Sequence, residues 1–388
     1  LTECTGLGAP LDYLVETLDI PTTSDVLGDR ALGHDVDGAG TACEVTDFVG
    51  DIDNSFMSLA EALPALNPAW PVRFQSDINR GLSCADSQPF CRAPRWTVRV
   101  EQGTGCARIT ILHGATAAVL AGPFVASVDG AGNVRGEFDT LDFEIANFLP
   151  GNFTTLIPFV IRDGIFTARM SELALSDIVI GGTLLQSELE ATFALVAEDL
   201  SDGSIEYADI AALLPDRYDV SVGGSCERMS IGLRATASRC PGTSAPTVYR
   251  LTTLHLPTVA EINNGDIVGH DVDGVGMVCG NNDLANQVDN DFSYFVEDAL
   301  PSFNANINVQ AAIDTTVGCA MTGASCVQQD IFVSVATGDE CAVVAITYAA
   351  DSTVLVSRVA SLTGGELRVR LPFWQVSIPV LHNMAVTY

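Results

Sequence analysis

The chain contains two copies of one eleven-residue motif, and this duplication constrains its fold more than any other feature. GHDVDGAGTAC begins at Gly33, and GHDVDGVGMVC begins at Gly269, 236 residues later. A chain that resembles itself at a fixed spacing repeats one structural unit. Each copy is therefore expected to fold in the same way, with the motif at the same place in both.

The cysteines follow the same repeat. Intervals of 7 and 15 residues separate three cysteines in each copy: Cys84, Cys91 and Cys106, then Cys319, Cys326 and Cys341. Cys4 likewise matches Cys240. We therefore predict a first repeat module over residues 1–239 and a second, shorter one over residues 240–388. Residues 171–239 form an extra C-terminal segment of the first module.

Local patterns predict a mainly β fold. Tyr13–Ile20 and Tyr249–Leu256 alternate between apolar and polar residues, as half-buried strands do. Short apolar runs separated by glycines follow, with a hairpin turn at Asp129-Gly130. The predicted architecture is two tandem β-sandwich-like domains, each with a short helix after an acidic loop.

The helix prediction depends on apolar residues at helical spacing. In the first copy they are Phe56, Leu59, Ala60 and Leu63, and in the second they are Phe292, Phe295, Val296 and Ala299. Pro64 and Pro301 are expected to end these helices.

Eleven cysteines favour an oxidising compartment and disulfide bonds, because zinc and haem spacings are absent. We predict the local pairs Cys84–Cys91 and Cys319–Cys326. Less constrained predictions are Cys4–Cys43, Cys240–Cys279 and Cys106–Cys226, which would leave Cys341 alone.

The second copy is also expected to be incomplete. Ile157-Pro158 resembles Ile378-Pro379, and nothing in the second copy answers to Ser171–Arg239. Three explanations stay open: a chain that runs past Tyr388, strands donated by a neighbouring subunit, or a shortened variant closed by packing on the first copy.

The charge limits the partners. The chain has 49 acidic and 18 basic residues and a net charge of −31. Such a surface repels nucleic acid and attracts divalent cations. The longest apolar stretch, Thr116–Val128, is too short for a transmembrane segment. The chain starts at Leu1 and not at Met, so we expect either that a signal peptide has been removed or that the given sequence begins inside a longer chain.

The shared motif supplies the chemistry of a calcium site. Calcium prefers carboxylate and carbonyl oxygens on a tightly turning backbone, which an Asp-x-Asp-Gly loop offers. The predicted ligands are Asp35, Asp37, Asp47, Asp53 and Asn54 in the first copy, and Asp271, Asp273, Asp283, Asp289 and Asn290 in the second.

Two resemblances accompany this prediction. Asp35, Asp37, Gly38, Gly40 and Cys43 resemble a fragment of thrombospondin type 3 calcium repeats, which implies ligand chemistry but not that fold. The Gly-x-Asp-x-Asp-Gly loop followed by Asp-Asn before a helix also resembles uncharacterised secreted or lipoprotein-type proteins of myxobacteria and their relatives. That resemblance implies an exported bacterial surface protein and no activity.

Other interpretations of the loop remain open. The acidic turn could be purely structural, since Val128-Asp129-Gly130-Ala131-Gly132 repeats the same string at a plain hairpin turn. Asp53 and Asp289 could act as helix N-caps. His34 and His270 could bind a transition metal, although a loop histidine bonded to backbone is the simpler interpretation.

The functional prediction is a secreted or outer-surface structural protein, a fibre subunit or adhesin, stabilised by calcium. It would associate with itself or with other surface proteins. No nucleophile, metalloprotease or phosphate-loop motif is present, so we do not predict an enzyme. The alternative is a calcium-dependent carbohydrate-binding module, with Trp70, Trp96 and Trp374 as candidates for stacking on a sugar.

Overall fold

A computed structural model describes most of the first repeat and part of the second. The described residues are 3–22, 25, 33–66, 74–83, 96–113, 117–148, 154–199, 207–264, 277–278, 281–282, 291–299, 331–339, 341–348, 354–363 and 366–369. The chain is mainly β with large antiparallel sheets and short helices, as predicted. In the described part, no helix is both long and apolar enough to cross a membrane.

The first repeat is built on one large antiparallel sheet. Its strands are β1 (Leu11–Asp19), β4 (Trp96–Gln102), β5 (Cys106–His113), β6 (Val119–Val128), β7 (Asn133–Phe148), β8 (Thr154–Met170), β9 (Ala174–Leu185), β10 (Val220–Val222) and β11 (Ser225–Ser238). The order is β1-β4-β5-β6-β7-β8-β9-β11-β10, and β11 also pairs with β1. The sheet therefore closes on itself, with Leu18 opposite Ala235 at the closing seam.

The closing strands come from the segment 171–239. β9 and β11 lie in it, and β11 bonds to β9 on one side and to β1 on the other. The extra segment of the first repeat is therefore integral to the sheet. Closure removes the edges that β1 and β9 would otherwise expose to other chains.

The first strand shows how sequence alternation produces this packing. Tyr13, Val15 and Leu18 are buried, and their neighbours on β1 are partly or fully accessible. The period of two breaks once because a bulge lies between Val15 and Thr17 in the pairing with β11. The predicted strand over Tyr13–Ile20 is confirmed with small shifts at its ends.

Two helices pack against the buried residues of this sheet. They are α1 (Ser55–Leu66) and α2 (Phe74–Ser83). The Phe56 ring lies 5.9 Å from that of Phe74 and 5.6 Å from that of Phe159 on β8. The predicted first helix is confirmed, but it runs two residues past Pro64 because proline has a helical φ and costs only one hydrogen bond at a final turn.

Shorter elements complete the first repeat. A two-stranded hairpin, β2 (Thr41–Ala42) and β3 (Val45–Thr46), lies within the acidic loop. Helices α3 (Gln186–Asp199) and α4 (Tyr207–Ala211) follow β9. The predicted hairpin turn at Asp129-Gly130 joins β6 to β7.

Strands of the second repeat recur at a fixed spacing. β15 (Ile331–Thr337), β16 (Cys341–Tyr348) and β17 (Val354–Thr363) each begin and end 235 residues after β4, β5 and β6. They pair in the sheet order β12-β15-β16-β17-β18, where β12 is Thr247–Arg250 and β18 is Glu366–Arg368. The strand predicted over Tyr249–Leu256 is thus shorter than expected. A third pair joins β13 (Met277–Val278) to β14 (Asn281–Asn282).

The second repeat also has its predicted helix. After α5 (Val259–Asn264), α6 (Asp291–Tyr294) continues into a π-helical turn over Phe295–Ala299. Its Phe292 and Phe295 are exposed, whereas the matching Phe56 and Leu59 of the first repeat are buried. The predicted apolar face is therefore buried only in the first repeat, among the described residues.

Contacts divide the chain into two compact units. The first contains the closed sheet, α1 to α4 and most of β16 and β17. The second contains β12, α5, the β13–β14 pair and α6. The limit between residues 239 and 240 stays a prediction.

Three disulfides lie in the described part and correct the proposed pairing. Cys4 bonds to Cys106, Cys43 to Cys226, and Cys240 to Cys341. The predictions Cys4–Cys43, Cys240–Cys279 and Cys106–Cys226 are wrong, and so is an unpaired Cys341. Cys84, Cys91, Cys319 and Cys326 lie outside the described residues, as do residues 370–388.

The two matched disulfides show that both copies of the repeat have the same disulfide with the same close packing around it. Cys4–Cys106 and Cys240–Cys341 close loops of almost equal length, with sequence separations of 102 and 101 residues. A side chain at Gly103 would meet the Cys4 sulfur at 2.6 Å, and one at Gly338 would meet the Cys240 sulfur at 2.8 Å. Each turn therefore requires glycine beside the disulfide.

Candidate metal centre

The acidic loop runs from Gly33 to Asn54, between β1 and α1, and is closed at its base. Asp53 N–H donates to the His34 carbonyl at 3.2 Å, and these residues form an isolated antiparallel bridge. Further along, Asp47 N–H donates to the Gly40 carbonyl at 3.3 Å. The loop thus folds back on itself and brings its distant acids together.

Three of the predicted ligands meet in this fold. Carboxylate oxygens of Asp35, Asp37 and Asp53 all lie within 4.8 Å of one another. Two oxygens bound to one calcium at 2.3–2.6 Å can be at most about 5 Å apart, so the spacing fits a shared cation.

Each of these carboxylates also accepts a hydrogen bond from the loop backbone with one of its oxygens. Asp35 Oδ1 accepts from Gly38 N–H at 2.6 Å, and Asp37 Oδ1 accepts from Ala39 N–H at 2.9 Å. Asp53 Oδ2 accepts from Val36 N–H at 2.6 Å. The turn that brings the acids together is therefore built by the acids themselves, and among the described residues the second oxygen of each remains for a ligand.

Asp53 is the most constrained of the three. Its side chain is 1% exposed, and its Oδ1 has no hydrogen-bond partner among the described residues. Burial raises the pKa of Asp53 to about 7, and the Val36 N–H bond only partly offsets this. A buried carboxylate oxygen without a partner is costly, so it indicates a missing proton or cation.

Asp47 lies beside Asp53. Burial raises the pKa of Asp47 as well, and the negative charges of Asp37 and Asp35 raise it further. Its Oδ2 is also buried without a partner among the described residues. The predicted Asp47 is thus adjacent to the three-carboxylate cluster.

Asn54 attaches the acidic loop to the sheet. Its side-chain NH₂ donates to the Gly232 carbonyl at 3.3 Å, and Gly232 N–H donates to its Oδ1 at 2.9 Å. Both polar groups are thus used to attach the loop to β11. Asp53 does not cap α1, because its carboxylate bonds to Val36.

A second contact that attaches the acidic loop to the sheet was not predicted from the sequence. Ser55 N–H donates to Ser230 Oγ at 2.8 Å, and Ser230 in turn donates its hydroxyl to buried Asp219. Burial raises the pKa of Asp219, and its charge raises that of Asp53. The only sequence signal was an acid flanked by apolar residues at Tyr218-Asp219-Val220.

The histidine of the motif faces away from the acids. His34 Nε2 lies 3.4 Å from the Val179 carbonyl and 3.5 Å from Thr167 Oγ1, and burial lowers the pKa of His34. The simpler interpretation, a loop histidine bonded to backbone, is confirmed. The described cluster is all oxygen, which suits a hard cation rather than a transition metal.

Several predicted residues lie outside the described part: Asp271, Asp273, Asp283, Asp289, Asn290, His270, Trp70 and Trp374. Trp96 is described and is 1% exposed, with its ring 5.4 Å from that of Phe143. The prediction that Trp96 stacks on a sugar is therefore wrong, because a core side chain cannot reach a ligand.

Neither the sequence nor the fold matches a known protein family model, a curated protein or a solved structure. The resemblance to myxobacterial secreted proteins therefore stays a prediction. What can be inferred about function comes from the closed sheet, the disulfides and the acidic loop.

Proposed function

We propose that this chain is an exported surface protein, stabilised by disulfides and by calcium bound in the acidic loop of each repeat. In the first repeat, Asp35, Asp37 and Asp53 would bind the ion, with Asp47 adjacent. In the second, the matching ligands are Asp271, Asp273 and Asp289. The ion has a structural role, in a fibre subunit or adhesin.

The proposal depends on one observation, the buried Asp53 carboxylate. Its Oδ1 has no hydrogen-bond partner in the described part, and the carboxylate lies in a cluster with two further acids. A purely structural acidic turn would satisfy this oxygen with a backbone N–H or leave it in water. Calcium would supply the missing partner and offset the mutual repulsion of the carboxylates.

The test is calorimetric titration of calcium into the full, chelator-treated chain. Asp53→Asn is the main variant because its amide oxygen can still accept the Val36 N–H bond while the charge is lost. We expect one binding event to disappear. In EDTA at pH 7.5 the same variant should be more stable than the wild type, because a neutral group replaces a buried charge.

Asp129→Asn is the matched control. Asp129 lies in the same Val-Asp-Gly-Ala-Gly string, but its Oδ1 accepts from Ala131 N–H and Asn133 N–H within a hairpin turn. This variant should bind calcium as the wild type does. Absence of calcium binding to the wild type at millimolar concentration would contradict the proposal.

The surface role needs a separate measurement. Sedimentation velocity with calcium and with EDTA would report association of the full chain. A calcium-dependent rise in mass would support the proposal that the surface protein assembles. A monomer under both conditions would contradict the proposal that the chain is a fibre subunit.

A further inference from the structure

The Cys43–Cys226 disulfide joins the acidic loop to the closed sheet. Cys43 lies at the turn of the β2–β3 hairpin, between Asp37 and Asp47, and Cys226 lies at the start of β11. The base of the loop is attached to the same strand through Asn54 and Gly232. The disulfide therefore fixes the tip of the loop, and the hydrogen bonds fix its base.

This disulfide differs from the other two in accessibility. Cys226 is exposed and Cys43 is half-buried. In the other two disulfides, half-buried Cys4 and Cys240 pair with Cys106 and Cys341, which are only 6% and 4% exposed, so neither contains an exposed cysteine like Cys226. Thiol–disulfide exchange needs access to a sulfur atom, so in the described part a reductant reaches Cys43–Cys226 first.

The short β2–β3 hairpin connects the disulfide to the acids. Asp47 N–H bonds to the Gly40 carbonyl on the two sides of the β2–β3 hairpin. The hairpin thus links the chain that follows Asp37 to the chain that carries Asp47. If its tip is released, only the hydrogen bonds at the base of the loop, such as that from Asp53 N–H to the His34 carbonyl, oppose the mutual repulsion of the crowded carboxylates in the described part.

We propose that the Cys43–Cys226 disulfide controls the calcium site, so that the oxidised chain binds calcium tightly and the chain reduced at this bond binds it weakly. This inference rests on the proposed function. A dithiol reductant supplies two electrons and two protons, Cys43 and Cys226 become thiols, and the reductant becomes a disulfide. Glu44 and Glu227 flank the two sulfurs, so a neutral dithiol should react faster than an anionic thiol.

The experiment measures calcium affinity of the full chain with only the first loop active. Asp271→Asn with Asp273→Asn provides the background, so that the second loop does not contribute. In this background Cys43→Ser/Cys226→Ser is compared with Cys4→Ser/Cys106→Ser, which removes a disulfide away from the acidic loop. We expect calcium affinity to fall about 10-fold or more in the first pair, as for other outer supports of metal sites, and less than about 3-fold in the second.

A second measurement covers the case in which the serine variants fail to fold. The oxidised background protein is treated briefly with dithiothreitol, the new thiols are identified by alkylation and peptide mapping, and calcium affinity is measured again. Alkylation should appear first at Cys43 and Cys226, together with the loss of affinity. Unchanged affinity after reduction of this bond overturns the inference while leaving the calcium site intact. No calcium binding by the oxidised background would instead remove the proposed function itself.

Discussion

The side chain of Asn54 pairs with the backbone of Gly232 through two hydrogen bonds, of 2.9 and 3.3 Å. These residues are 178 positions apart, and the pair is buried. It joins the last residue of the acidic loop to the strand that closes the sheet. The geometry of the candidate metal centre therefore depends on a strand that lies outside the repeated motif.

Replacing Asn54 should test this dependence. Asn54→Ala leaves the Gly232 N–H and carbonyl buried without these partners, which should cost about 2–3 kcal/mol of unfolding free energy. Calcium affinity should fall as well, because Asp53 precedes Asn54. Urea unfolding and calcium titration measure the two effects. Thr17→Ala, which removes an exposed bond to Thr236, should change stability by less than about 0.5 kcal/mol.

Calcium should raise the melting temperature of the wild type. A ligand that binds only the folded state adds about 2.7 kcal/mol when its free concentration is a hundred times Kd. For a chain of 388 residues that corresponds to roughly 3 °C. Scanning calorimetry in calcium and in EDTA measures the shift. Identical melting curves in calcium and in EDTA would count against the site. A scan in magnesium provides a further comparison.

The pH dependence of the calcium-free protein has a definite sign. The pKa of Asp53 is about 7 in the folded chain, above the usual aspartate value of about 4. Between these values the folded state holds a proton that the unfolded state has lost, so stability falls as pH rises from about 4 to 7. Urea midpoints in EDTA should show this decline. Asp53→Asn should reduce it, and saturating calcium should oppose it.

Gly103 should tolerate no side chain. A Cβ there would lie 2.5 Å from the Thr5 carbonyl oxygen and 2.6 Å from the Cys4 sulfur, and neither can move far because the disulfide holds both. Gly103→Ala should therefore destabilise the chain and slow formation of Cys4–Cys106 in oxidative refolding. Gly130→Ala is the control, since nothing lies within 4 Å of its Cβ position.

Arg358 should contribute to the folding stability, although its charge is buried. It is 2% exposed and donates to the Leu82 carbonyl at 2.9 Å, and its charge lowers the pKa of Glu16, which burial raises. Removing the Arg358 guanidinium leaves the Leu82 and Ser357 carbonyls without a charged donor, which should cost about 1–3 kcal/mol. Arg358→Met should lose stability of that order in urea unfolding. Arg368→Met, at an arginine side chain that is 81% exposed, should lose little.

Two identical strings show why a motif alone did not define the site. Val36-Asp37-Gly38-Ala39-Gly40 and Val128-Asp129-Gly130-Ala131-Gly132 have the same letters. In the second, Asp129 bonds within its own hairpin turn and belongs to no cluster of three acids in the described part of the chain. In the first, Asp35 and Asp53 converge on Asp37 because the loop is fixed to β11. Local sequence specifies a turn, and distant contacts decide what surrounds it.

Patterns within the chain were enough to predict the repeat, the β class, the first strand, the helix after the acidic loop and the identity of the clustered acids. These follow from short-range periodicity and from self-similarity, which are properties of the chain. The disulfide partners, the closure of the sheet by β11 and the attachment of Asn54 to Gly232 were decided only by the tertiary structure. Each joins residues about 100 or more positions apart, and pairing at that distance depends on how the whole sheet packs.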